Sequence, residues 1–339
     1  MMPAAAPLSA AKRPRLGFAG VGWIGRNRME AIVAADCAEI AGIAEPSREM
    51  AAAAAESAPG AEIVGDLDAL LALGLDGVVI ATPSALHAAQ ALKALESGAA
   101  VFCQKPLGRT AAEVVSVLDA AERADRLLSV DFSYRWTEGM RRLHALAKDG
   151  AIGDIYAADL VFHNAYGPDK PWFHDRRLAG GGCVIDLGVH LIDLALWMTG
   201  FPAVEKVSSD LFAGGRRLPP DADVVEDYAV ATLRFATGAV VRIACSWNLH
   251  AGQDAEISAL FHGREGSLSF RNVGGSFYDF TAALLRGTSR EELTAPPDRW
   301  GGRAAADWAR RLAEGEGFDP SISGEMQPVA EVIDRIYGK

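Results

Sequence analysis

The chain has 339 residues, of which 50% are apolar and 23% charged, a composition with ample material for a core that excludes a disordered or collagen-like protein. Its 33 basic and 44 acidic residues leave a formal net charge of −11, a diffuse acidic balance that argues against nucleic acid and against an anionic membrane surface as partners. The length suggests two domains, since one domain usually takes roughly 100–200 residues.

Residues 1–12 are rich in alanine and proline, with no basic segment ahead of them, and read as a disordered lead-in rather than a secretory signal. Arg15 to Gly20 then reads as a short buried strand, followed by a helix over 24–35. Glu39 to Ala44 is a second strand and Arg48 to Glu56 an Ala-rich helix. A short helix starts at an Asp66 cap. Gly77 to Ala81 is a third strand, Ser84 to Ser97 a helix stopped at Gly98, and Ala99 to Cys103 a fourth strand. A helix over 111–124 and a strand over 127–131 complete the series. Strands that are apolar throughout and alternate with helices belong to a parallel sheet covered on both faces, a doubly wound α/β Rossmann domain over 13–131.

The pattern changes after residue 131. Strands are predicted over 160–164, 227–235, 239–247, 256–262 and 266–270, many alternating as in a half-exposed antiparallel sheet. Helices are predicted over 140–148 and 183–199. Residues 132–322 therefore form an α+β domain on a large, mostly antiparallel open sheet, and 323–339 a C-terminal helix with apolar residues at Met326, Val329, Val332, Ile333 and Ile336. No stretch approaches the roughly 20 apolar residues of a membrane span. Cys37, Cys103, Cys183 and Cys245 form no C-x-x-C pair and no zinc-like spacing, so no metal site is read and a reduced, cytoplasmic protein is expected.

Three segments carry chemistry. Gly20-Val21-Gly22-Trp23-Ile24-Gly25 fits G-x-G-x-x-G between a strand and a helix, where glycines let the backbone approach a pyrophosphate at the helix N-terminus. Glu45 ends the next strand, where a carboxylate accepts hydrogen bonds from an adenosine ribose and repels a 2′-phosphate. That favours NAD over NADP, although Arg48, three residues on, could offset the repulsion. Gln104-Lys105-Pro106 follows the fourth strand, at the sheet edge where ligands bind, so Lys105 is expected at the reactive end of the cofactor. The isomer of the Lys105-Pro106 bond is open at this point. In Gly180-Gly181-Gly182 through Asp193, Asp186 and His190 are four apart on one helix face, and a histidine beside a carboxylate suits a general base. Asp193 is assigned to support of the helix or an adjoining turn.

Together these segments resemble the glucose–fructose oxidoreductase / inositol dehydrogenase (Gfo/Idh/MocA) family. The resemblance runs in order through Gly20 to Gly25, Val79 to His87, Lys105-Pro106, Tyr134-Arg135-Trp136, Trp172 and Gly180 to Asp193. It implies an NAD(P)-dependent oxidoreductase that moves a hydride between nicotinamide and a carbinol carbon of a sugar, inositol or related polyol. It implies that Lys105, Asp186 and His190 are the catalytic set and that Thr82, Pro83, Ser84 and His87 lie along the cofactor. Arg135 and Trp172 would approach the nicotinamide side, and the C-terminal tail would pack back on the first domain. Two departures stand out: Gln104 replaces the family's usual Glu before Lys-Pro, and Phe173 follows Trp172 where Arg is common.

His163, Asn164, Tyr166 and His174 are the candidate substrate contacts, on a strand end and in the polar loop before the three glycines. Trp247 reads as core or interface packing. A sheet face left apolar in patches would bury itself against another copy, giving a homodimer or homotetramer. Two alternatives remain at this point: a glycosidase of the same fold that oxidises a sugar transiently, and a nucleotide-sensing protein without turnover.

Overall fold

A computed structural model describes residues 13–219 and 222–339. The lead-in expected over 1–12 lies outside the described residues.

The first domain alternates β1 (Arg15–Ala19), α1 (Trp23–Ala35), β2 (Glu39–Ala44), α2 (Arg48–Ala55), β3 (Glu62–Val64), α3 (Leu67–Leu71), β4 (Gly77–Ile80), α4 (Ser84–Glu96), β5 (Ala100–Cys103), α5 (Ala111–Ala124) and β6 (Leu128–Val130). The six strands pair in the order β3-β2-β1-β4-β5-β6, every pair parallel. That order reverses beside β1, which opens a crevice at the carboxyl ends of β1 and β4. β4 and β5 are buried along their whole length because helices cover both faces. The sequence reading missed only β3, a three-residue edge strand with two exposed positions.

The second domain begins with a 3₁₀ turn at Ser133–Trp136 and α6 (Glu138–Lys148), then β7 (Ile155–Asn164), a 3₁₀ turn at Pro171–His174 and α7 (Arg176–Ala179). A π-turn at Val184–Gly188 runs directly into α8 (Val189–Thr199). Then come β8 (Val204–Ala213), β9 (Arg216–Arg217), β10 (Tyr228–Phe235), β11 (Val240–Ser246), β12 (Ala255–Gly263), β13 (Ser267–Asn272), β14 (Phe280–Arg286), β15 (Ser289–Thr294), α9 (Arg303–Ala313) and α10 (Ser321–Ile336). Nine strands pair as β15-β14-β13-β12-β7-β11-β10-β8-β9, antiparallel except for β7 with β11.

Alternation sets the faces of this sheet. Ala158, Leu160 and Phe162 of β7, with Ala229, Ala231 and Leu233 of β10 and Val241, Ile243 and Cys245 of β11, are buried in the core shared with α8. Their neighbours Asp159, Val161, Val230, Thr232 and Ala244 are half-buried on the opposite face. α9 returns to α1 and β5 of the first domain, and α10 packs on α5, α8 and β8, so the chain end bridges both halves. The helical stretch Arg176–Thr199 has the length and composition of a membrane span, which departs from the sequence expectation; it is apolar because it is mostly buried inside the protein.

Candidate active site

The glycine turn joins β1 to α1. Gly20 sits at φ +86°, and a Cβ there would come within 2.6 Å of the Ala81 carbonyl oxygen. A Cβ on Gly25 would fall 2.3 Å from the Gly20 oxygen, so this glycine lets helix and strand approach. Gly22 faces open space and caps α1 with no side chain, leaving the first N–H groups of the helix for a ligand. Glu45 accepts from the Val21 N–H at 3.0 Å and from the Ser47 N–H at 3.0 Å, which fixes its carboxylate at the adenosine end.

These residues line a cavity of about 720 Å³ with Thr82, Pro83, Ser84, Gln104, Lys105, Trp172, Phe173 and Asp186. A second cavity of about 930 Å³ is lined by Arg28, Asp131, Tyr134, His190, Tyr278 and Trp300, among others. Trp23, Ile24, Gln104 and Lys105 line both, so the cavities meet at Lys105. An open helix N-terminus, a glycine cradle and a ribose-facing carboxylate are what a dinucleotide requires, and the residues present fit one.

At the junction, the Lys105 ammonium donates to the Asp186 carbonyl oxygen at 2.7 Å and to Asp186 Oδ1 at 2.9 Å. The Trp247 indole N–H donates to Asp186 Oδ2 at 3.1 Å, so both carboxylate oxygens are engaged. Trp247 is thus more than packing. His190 lines the second cavity with its Nδ1 buried and unpartnered, which leaves Nε2 to meet a ligand. Burial first, then the positive charges of Lys105 and Arg28, holds the imidazole well below its usual 6.5. The π-turn Val184–Gly188 contains Asp186 and ends two residues before His190, widening the helical repeat that separates them. Asp186 consequently lines the first cavity and His190 the second, instead of stacking on one face as α-helical spacing predicts. The Lys105-Pro106 bond is cis.

Several expected contacts are corrected. Arg135 does not reach the cofactor groove. Its guanidinium is taken by Asp193 at 2.5–3.1 Å and by Glu325 at 2.5 Å, tying the 3₁₀ turn to α8 and α10. Asp193 therefore serves structure, and burial raises its carboxyl to about 6 against the pull of Arg135. His87 is buried behind the groove, where its ring bridges the Pro106 and Thr82 carbonyls at 2.7 Å each and joins two lining loops. Arg48 is exposed and does not line the groove. His163 pairs with Ser246 at 2.7 Å on the outer sheet face, away from both cavities. Asn164 accepts from the Tyr166 N–H, Tyr166 donates to Asp254, and His174 is exposed; none lines either cavity.

The sequence reading missed Arg28 and Asp131. Arg28 Nε donates to Asp131 Oδ2 at 2.6 Å and Gln104 Nε2 donates to the same oxygen at 2.5 Å, all three buried. Their signals were present: Asp131 follows the last parallel strand, at the ligand edge, and Arg28 is a charge on the buried stripe of α1. Tyr278 and Trp300 carried no signal, because they lie in irregular segments brought in from the far end of the second sheet.

Residues 15–132 match a family model described as oxidoreductase family, NAD-binding Rossmann fold. Residues 140–269 match one described as GFO/IDH/MocA C-terminal domain. The D-glucoside 3-dehydrogenase of Escherichia coli (strain K12) is 27% identical over 304 residues, 86% of this chain and 83% of the relative. The inositol 2-dehydrogenase of Leifsonia xyli subsp. xyli is 29% identical over 250 residues, 73% of this chain and 70% of the relative. Among solved structures, levoglucosan dehydrogenase in complex with NADH and levoglucosan superposes with a TM-score of 0.81 at 26% identity, covering 96% of each chain.

Proposed function

The chain belongs to the GFO/IDH/MocA family of NAD(P)-dependent oxidoreductases, and from that premise we propose that it is an NAD-preferring dehydrogenase acting on a carbinol carbon of a sugar, inositol or glycoside. The observation that carries this reading is the convergence of Lys105, from the carboxyl edge of the parallel sheet, with Asp186 and His190, from the second domain, where the two cavities meet.

The nicotinamide coenzyme, when bound, accepts or returns the hydride; the residues of the chain handle position and protons. In the oxidising direction His190 Nε2 takes the hydroxyl proton, which its depressed basicity permits at neutral pH because the ring is unprotonated there. The Lys105 ammonium faces the same oxygen and stabilises its negative charge as the carbonyl forms. Asp186 holds Lys105 in place through two acceptors, and Trp247 holds Asp186. Glu45, fixed by two backbone N–H groups and unaccompanied by Arg48 in the groove, supports NAD over NADP.

The outer face of the nine-stranded sheet supports a homo-oligomer. Val161, Val230 and Ala244 are half-buried there, and the helices α6, α8 and α10 pack on the sheet's other face. A monomeric mass in light scattering across a wide concentration range contradicts it. Four free thiols support a reducing, cytoplasmic setting.

Incubation with NAD and a panel of sugars, inositols and glycosides, followed at 340 nm and by chromatography, tests the activity. Net NADH formation with a ketone or lactone product is expected. Release of a leaving group without net NADH points to a glycosidase, and coenzyme binding without turnover of any panel member contradicts the dehydrogenase.

A further inference from the structure

The helical run that carries Asp186 and His190 begins at an unusual cap. Glu226, just ahead of β10, is 2% exposed, and among the described residues no cation pairs with it. Its Oε1 accepts three hydrogen bonds: from the Gly182 N–H at 3.0 Å, the Val184 N–H at 2.9 Å and the Tyr337 hydroxyl at 2.8 Å. Its main-chain carbonyl accepts from the Cys183 N–H at 3.0 Å. The N–H groups of Gly182, Cys183 and Val184 at the start of the run are thereby satisfied by one residue from another element, and a carboxylate there complements the positive end of the helix dipole.

The third donor comes from the end of the chain. Tyr337 closes α10 and is buried against the three-glycine turn, so closely that a Cβ on Gly181 would fall 1.9 Å from its hydroxyl oxygen. A Cβ on Gly182 would fall 1.9 Å from the Glu226 carbonyl oxygen. These two glycines are therefore required for the tail and Glu226 to reach the helix start. α10 is itself anchored on both domains: Asp334 accepts from the Ala111 N–H at 2.9 Å, and Arg335 donates to the Val204 and Glu205 carbonyls. Two residues beyond the capped Val184 stands Asp186, whose N–H donates to the Gly182 carbonyl at 3.1 Å and whose carboxylate holds Lys105.

We propose that Tyr337 and Glu226 are positioning residues that set the start of the catalytic helix, and with it Asp186, against Lys105, making the end of the chain part of active-site assembly. Neither touches the cavities that hold Lys105, so they act through the helix. The inference rests on Asp186 and His190 being the reacting groups.

The test uses the full-length enzyme with its coenzyme. Tyr337→Phe keeps the ring and its packing and removes only the hydroxyl. It is expected to lower kcat about tenfold, the size of one lost hydrogen bond to a charged group, while coenzyme affinity stays within about twofold. Glu226→Gln keeps an oxygen acceptor for Gly182 and Val184 and is expected to retain more kcat than Glu226→Ala. Wild-type kcat in folded Tyr337→Phe overturns the proposal. So does a loss that falls equally on kcat and coenzyme binding in step with the unfolded fraction, because that is a purely structural role. Asp186→Asn separates the two layers. If it keeps turnover, the reading of the site fails; if it loses turnover while Tyr337→Phe does not, only the positioning role fails.

Discussion

Gln104 stands where the family resemblance expects a carboxylate, and the buried charge sits on Asp131 instead, shared between Arg28 and the Gln104 amide. A second carboxylate at 104 would face Asp131 with one guanidinium between them. Gln104→Glu is therefore expected to lose about 1–3 kcal/mol in urea unfolding, the cost of a buried acceptor deprived of its donor. Adding Asp131→Asn, which restores one donor and one acceptor, should recover most of it; additive losses would contradict the pairing. At His190 the expectation is kinetic. His190→Ala should lower turnover by about 10²–10⁴ with coenzyme binding intact. Because burial and two neighbouring cations hold the ring neutral, the acid limb of kcat/KM for oxidation should lie below 6.5, and a limb at or above that value contradicts the assignment. That Lys105, Asp186 and His190 line the adjoining cavities was legible because each lies in a motif whose place in the fold is known. Arg135 was not, since its partners Asp193 and Glu325 lie 58 and 190 positions away. His163 was misread although alternation already pointed the right way: Leu160 and Phe162 face the core, so the next residue faces out.

Among the elements, most apolar strands and periodic helices were read to within a few residues; β14, Phe280–Arg286, was missed although it is apolar and mostly buried inside the sheet, and the polar edge elements were missed as well. β15 reads Ser-Arg-Glu-Glu-Leu-Thr and is mostly exposed, the kind of charged edge that discourages pairing with another sheet and resembles a loop in sequence. β8 mixes lysine, serine and aspartate because its outer positions are only half-buried. α9 was missed as an Ala/Arg run, although its alanines and Trp308 bury one face against the first domain. The π-turn was beyond reach, because nothing in Val184 to Gly188 distinguishes it from an ordinary turn of helix. Between elements, Arg135 is the clamp. Its guanidinium pairs with Asp193, which is 1% exposed, and sits 5.4–5.5 Å from the rings of Phe132, Trp197 and Phe201. Arg135→Ala leaves Asp193 buried and unpaired and should cost about 3–5 kcal/mol in chemical denaturation; a loss below about 1 kcal/mol would show that the clamp is not what holds α8 to the first 3₁₀ turn.

For the molecule as a whole, buried and half-buried histidines shape the response to acid. Burial lowers His144, His163 and His190 below 6.5. The unfolded chain therefore binds protons near 6.5 that the folded chain does not, and stability falls as pH drops through that value. Asp193, raised to about 6, and Glu226, also raised by burial, act in the opposite sense: their contribution is present at low pH and lost as pH rises through the folded values. The Asp193 contribution develops only below about pH 6, so between neutral pH and about 6 the histidines should lower the midpoint of thermal unfolding; a flat or inverted profile would mean that the histidines are not neutral in the fold. The two-domain plan was legible because a parallel sheet and an open antiparallel sheet impose different apolar patterns, whereas the walls of the second cavity come from segments far apart in the chain.

The most direct measurement is a crystal structure of the protein with NADH. It is predicted to place the adenosine at Glu45, the pyrophosphate at Gly22 to Gly25 and the C4 of the nicotinamide at the junction of the cavities, with Lys105 Nζ and His190 Nε2 both on the side of that carbon where a substrate oxygen would sit. A redox ring directed elsewhere, or lying between those two groups so that no single oxygen could meet both, would contradict it.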